Sequence, residues 1–223
     1  MLENKYFWLI MVLNIFVLLM NANSIQSMIY YCNYVLNKPL FISLLMSVGS
    51  IPSILVMFFI PALAKKFSKR KVLAGSAVLL LISFLIMGFA GTNSTIVFIG
   101  VAMKNLAVSP MFGLPLAFVA DVVDYNEYKT GYRCEGLIST SSSIGMKIGI
   151  GFGAALTGWI LAFSGYNGAA AVQSAKAISG IRFSFSWTGV IFSVFILIIV
   201  LFIDIEKKTP EIQAALSKKH GEE

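Results

Sequence analysis

The chain has 223 residues, of which 58% are hydrophobic and only 12% charged, and its mean hydropathy is +0.85. Soluble domains carry roughly a quarter of charged residues, so this composition excludes an ordinary water-soluble enzyme and points to a bilayer. The formal net charge of +7 would suit nucleic acid, but the positions of the basic residues explain it as an orientation signal and no nucleic-acid partner is expected.

A hydrocarbon core about 30 Å thick needs roughly 20 apolar residues per spanning helix. Six such runs are present, at about 6–34, 40–64, 72–91, 95–120, 137–164 and 184–204. Runs such as "VIFSVFILIIVLFI" do not alternate as outer-membrane strands do, so the expected class is an all-α integral membrane protein. Residues 1–205 form the transmembrane domain and 206–223 a tail.

The first run follows Lys5 and lacks a small-residue cleavage site after a short apolar core, so it reads as a retained helix and not a signal peptide. It carries Asn14, Asn21, Asn23 and Gln26, and the second carries Gly49 and Pro52. The third has no ionisable residue. The fourth contains Lys104, Pro110, Gly113 and Pro115, and the fifth, "SSSIGMKIGIGFGAALTGW", sets Lys147 among glycines. The sixth is again free of ionisable groups. Polar groups and broken backbone at membrane depth are tolerated only where protein or a water-filled cavity surrounds them. Helices one, two, four and five should therefore line something, with three and six bracing them.

Gly145, Gly149 and Gly153 recur every four residues, a spacing that lets another helix approach closely. Lys147 projects from the opposite side, above Gly151, and lies about 15 Å from the nearer helix end, which is far for a long side chain to reach water. A cavity-facing lysine is the preferred reading. Lys104 is nearer an end, and both an interfacial and an internal location stay open for it.

The remaining segments are connections. Residues 165–182 form a polar loop with a short helix at "AAAVQSAKAIS", and the tail after Pro210 has the pattern of an amphipathic surface helix. Lys5, Lys65, Lys66, Lys69, Arg70, Lys71, Lys129, Arg133, Lys207, Lys208, Lys218 and Lys219 fall on one side, and only Lys38, Lys176 and Arg182 on the other. Basic residues mark the cytoplasmic side, so both termini are expected there. Cys32 and Cys134 fall on opposite sides and imply neither a disulfide nor a metal site, and His220 is a solvated tail residue.

The stretch "VADVVDYNEYKTGYRCEG" gathers charge at the end of the fourth run. Asp121 and Asp124 share a face if the helix continues, with Glu127 a turn further. A solvated loop that sets topology and a gate of opposite charges both fit that spacing. A third reading, aspartates holding Mg²⁺ and a diphosphate as in membrane prenyltransferases, needs two Asp-rich motifs, and this chain has one.

"ADVVDYNEYKTGYRCEG" followed by "SSSIGMKIGIGFGAALTGWILAFSGYNG" resembles the tenth helix end, cytoplasmic loop and eleventh helix of the glycoside–pentoside–hexuronide:cation symporters, a branch of the major facilitator superfamily typified by the melibiose permease. "YYCNYVLNKPLF" and "IPALAKKFSKRKVL" resemble the same family in the same order. The resemblance covers 1–205 and implies a six-transmembrane-helix half of a twelve-helix transporter, the C-terminal one. The other half, which carries most cation-binding carboxylates and principal sugar-binding aspartates, would not fit in 223 residues.

By position, the resemblance implies that Lys147, Ser142, Ser143 and Phe112 line the substrate and cation-coupling cavity. Asp121, Asp124 and Arg133 match a cytoplasmic gate. It implies a sugar or glycoside substrate, Na⁺ or H⁺ as coupling ion, no other cofactor and no protein-held metal. It also implies a bacterial inner-membrane location, and an N-terminal half or a second copy as partner beside membrane lipid. The alternative is a truncated or split half with no transport of its own, since residues 6–120 contain no Asp or Glu.

Overall fold

The structure, a computed structural model, describes residues 4–132, 135–170 and 172–221. The described residues form eight helices and no strand: α1 (Lys5–Tyr30), α2 (Phe41–Phe67), α3 (Lys69–Phe89), α4 (Ser94–Thr130), α5 (Glu135–Phe163), α6 (Ala175–Arg182), α7 (Thr188–Phe202) and α8 (Thr209–Gly221). A π-helical turn, Tyr31–Val35, extends α1, and another, Phe183–Trp187, joins α6 to α7. Six helical spans are long and apolar enough to cross a membrane.

Local chemistry sets the helix starts. The Asn4 side chain accepts from Tyr6 N–H at 3.0 Å, and Asn93 Oδ1 accepts from Thr95 and Ile96 N–H at 3.0 and 3.3 Å. A side-chain acceptor satisfies N–H groups that a helix start leaves free. Ser68, at φ 76°, ends α2 and caps α3 through Lys71 N–H.

Two segments run longer than the sequence pattern suggests. The fourth apolar run ends near residue 120, yet α4 continues to Thr130, because no helix breaker intervenes before Gly131, which takes the left-handed conformation at φ 77°. Likewise the segment expected as an outer loop over 165–182 is helical from Ala175 and passes through the π turn into α7.

Helix α1 packs most extensively on α5, α3 on α4 and α7, and α2 on α4. The α1–α5 contact is the glycine seam. A Cβ placed on Gly149 would stand 2.6 Å from Ile15 O, and one on Gly153 would stand 2.8 Å from Ala22 Cβ, whereas one on Gly151 would meet open space. Small residues at this spacing let the two backbones touch where lipid offers no hydrophobic drive.

Buried polar groups bind the helices together. Asn23 Nδ2 donates to Ser184 O and to Thr188 Oγ1, both at 2.8 Å, and Thr157 Oγ1 donates to Asn23 Oδ1 at 2.9 Å, so one amide ties α1, α5, the π turn and the start of α7. Ser53 Oγ donates to Asn105 O at 3.1 Å and Ser109 Oγ to Ser53 O at 2.9 Å, a reciprocal tie between α2 and α4. At the end opposite the tail, Tyr31 O–H donates to Gly91 O. There too the Tyr34 and Tyr166 hydroxyls meet at 3.0 Å, and this bond pushes Tyr166 up to about 12.

Burial differs from span to span. Helices α1 and α4 supply much of the core, α2 and α5 are the least buried spans, and α3 is as buried as α1. Gly149→Ala is expected to destabilise the bundle by about 1–3 kcal/mol through overpacking, while Gly151→Ala stays within about 0.5 kcal/mol. Thermal unfolding in detergent compares them, and equal losses would contradict the seam.

Candidate functional site

On α5 the exposed positions Ser143, Ile144, Lys147, Ile148, Gly151, Phe152 and Trp159 lie away from the buried Gly145 and Gly149. Lys147, Ile148, Gly151, Phe152, Ala155 and Trp159 line an open groove of about 480 Å³. The Phe152 and Trp159 rings meet edge to face at 6.4 Å. Lys147 makes no hydrogen bond or ion pair with another described residue. It stands twelve residues from Glu135 and sixteen from Phe163, or about 18 and 24 Å along the helix.

Ser143 lies one turn before Lys147, exposed, its hydroxyl donating to Ser139 O at 3.0 Å. Ser142 departs from the expected lining. It is buried, and Asn14 Nδ2 donates to its Oγ at 2.8 Å, because a one-residue step turns the side chain about 100° round the helix toward α1. Asn14 and Asn23 of α1, expected to face the cavity, are likewise spent inside the bundle. Phe112 is exposed on α4 with Leu116 and Ala120 at successive four-residue steps, an open stripe on that helix.

The charged end is organised around α3 and α4. Asp121 is buried on α4 and accepts from Lys69 Nζ at 2.6 Å, while the ammonium also lies 5.6 Å from the centre of the Phe118 ring. Lys69 and Arg70 N–H donate to the two carboxylate oxygens of Glu206 at 2.8 and 3.1 Å, and the Arg70 guanidinium donates to Leu201 O. A carboxylate at a helix N-terminus satisfies free N–H groups and opposes the positive end of the dipole. Thus the segment after α7 is fastened to the start of α3, and Lys5 pairs with Asp204 at 3.4 Å beside it. Asp124 is half-buried and Glu127 buried on the same helix. Arg133 lies outside the described residues, so the structure joins Asp121 to Lys69 and is silent on Arg133.

Sequence reading missed Lys69 and Glu206 as site residues. Lys69 stood out only as one of a run of basic residues, and no short-range spacing links it to Asp121, 52 residues away, or to Glu206, 137 away. Among the described residues no cluster of His, Cys, Asp and Glu could hold a metal ion.

Six spans long and apolar enough to cross a membrane, one with a lysine on its open mid-helix face, are the pattern of a multi-pass membrane protein. Comparison with known proteins agrees: the chain belongs to the MFS/sugar transport protein family, whose model matches residues 1–207. It is 30% identical to the isoprimeverose transporter of Lactiplantibacillus pentosus over 89% of this chain and 41% of that protein. It is 28% identical to the raffinose carrier protein of Pediococcus pentosaceus over 70% of this chain and 24% of that one. It is 27% identical to a glucuronide carrier protein homolog of Escherichia coli over 86% of this chain and 43% of that one. The chain spans well under half the length of these relatives.

Removing one partner of the Lys69–Asp121 pair leaves a buried charge alone, which costs more than removing both. Lys69→Met is expected to lower the melting temperature in detergent, and adding Asp121→Leu should recover most of the loss. Additive losses in the double variant would contradict the pairing.

Proposed function

We propose that this chain is the C-terminal six-helix half of a sugar:cation symporter that works by alternating access. One observation carries the reading: Lys147 is exposed and without a partner deep along α5, on the side facing away from α1. A charge at that depth is tolerated only beside protein or water. Lipid cannot cover this face, so a companion six-helix unit must, with an aqueous cavity between. The companion is either an N-terminal half or a second copy of this chain.

In this account Ser143, Lys147 and Phe112 line the cavity. Lys147 supplies a fixed positive charge beside a cation site whose carboxylates an N-terminal half would bring, since residues 6–120 of this chain, and so of a second copy, hold none. The likeness to carriers named for isoprimeverose, raffinose and glucuronide supports a glycoside or oligosaccharide substrate, with Na⁺ or H⁺ as the coupling ion. Asp121, Asp124 and Arg133 form the charge network of the cytoplasmic gate, with Asp121 anchored by Lys69. Rocking of the two units about the midplane site exposes it to either side. The clustering of lysine and arginine supports cytoplasmic termini, and the likeness to an Escherichia coli carrier supports a bacterial inner-membrane location. Without a companion, the chain transports nothing.

The test is accumulation of labelled isoprimeverose or raffinose by vesicles holding the complete assembly under an imposed Na⁺ or H⁺ gradient. Lys147→Ala is expected to cut accumulation at least about tenfold, the loss of a charge-assisted contact. Unimpaired accumulation would remove Lys147 from the mechanism.

A further inference from the structure

A second lysine lies in the membrane part of the bundle, on a different helix. Lys104, on α4, is 4% exposed, and its Nζ donates to Ser24 Oγ at 3.3 Å, its one hydrogen-bond partner among the described residues. An ammonium has three donors, so two are unused. No carboxylate is available nearby. Residues 6–120 contain no Asp or Glu, and Asp121 is seventeen residues further along the same helix, about 25 Å away. A buried charge without a counter-charge is costly unless something completes it.

The surroundings have the form of a site. Lys104 borders a groove of about 360 Å³ between α1, α2 and α4, where Asn21, Asn105 and Ser53 supply polar groups and Met28 and Val101 apolar walls. The Asn21 and Asn105 side chains make no hydrogen bond to another described residue. The Ser53–Asn105 and Ser109–Ser53 bonds fasten α2 to α4 and hold one wall of the groove in place. Two spare ammonium donors beside two unengaged amides, between apolar walls, match a small oxyanion that also carries hydroxyls. A structural lysine would instead be expected to end on a carboxylate or to fill its bonds with carbonyls.

We infer that the Lys104 groove is a second ligand site, separate from the Lys147 face, which binds the carboxylate of a small hydroxylated acid through Lys104, Asn21 and Asn105. Lys104, Asn21 and Asn105 all belong to this chain, so the inference assigns the carboxylate contact to it alone. The inference draws on the transporter reading only for the choice of a sugar acid as the hydroxylated probe. It can fail while that reading stands, and the reverse.

Galacturonate and galactose differ at C6 in carrying a carboxylate or a hydroxymethyl group, so they isolate the anionic contact. Equilibrium binding of each to the full chain in lipid nanodiscs is expected to show saturable galacturonate binding at least about tenfold tighter than galactose. Lys104→Met should erase that preference, and Lys176→Gln, which removes an exposed lysine elsewhere, should leave it. If Lys104→Met fails to fold, Asn105→Ala serves, and the preference must fall at least about fivefold. Absence of saturable galacturonate binding by the chain alone, or a preference unchanged by these substitutions, overturns the inference; the first result would leave a carboxylate of the companion unit as the counter-charge for Lys104.

Discussion

Hydrocarbon offers no hydrogen bonds, and every polar group in this bundle is placed by that fact. Groups that find partners inside the chain become structure: Asn23 joins four elements, Asn14 meets Ser142, and the Ser53 and Ser109 hydroxyls each donate across to a backbone carbonyl between α2 and α4. Those left without enough partners mark where something else must arrive. Lys147 and Lys104, both far from a helix end, remain in this position, one on an exposed face and one in a groove.

The glycine seam makes the division possible. Because Gly145, Gly149 and Gly153 let α5 lie directly against the α1 backbone, α5 needs no other neighbour on that side, and its opposite side is left open. At the charged end a different economy operates. Glu206 caps α3 from the far end of the chain, and Lys69 reaches from the same helix start to Asp121 on α4. One short segment, Ser68 to Arg70, thereby links α2, α3, α4 and the segment after α7. A change in charge there acts on four elements together.

Much of this was legible in the sequence. Six apolar runs of spanning length, the four-residue glycine repeat and the placement of Lys147 opposite it follow from helical period alone. Ser142 is buried where the resemblance implies a lining position, because the resemblance gives a neighbourhood and not a face, and one residue separates the open stripe of α5 from the buried one. The end of α4 was placed ten residues early because polar composition was taken for a loop, although the segment has no breaker before Gly131. The outer segment from Ala175 was likewise read as a loop with a short helix, since a π turn that carries a helix onward has no sequence signature. Lys69, Glu206 and Asn14 found partners far along the chain, and periodicity is blind to such pairs.

The central claim is that the exposed side of α5 faces water under a companion unit and not lipid. The most direct measurement places single cysteines at Gly151 and at Val194, exposed on α7, in a background lacking Cys32 and Cys134. Their reaction with a charged, water-soluble thiol reagent is then followed in intact membranes. The account predicts rapid modification at 151 and almost none at 194. Equal inertness at both positions would show that lipid covers α5, and would contradict it.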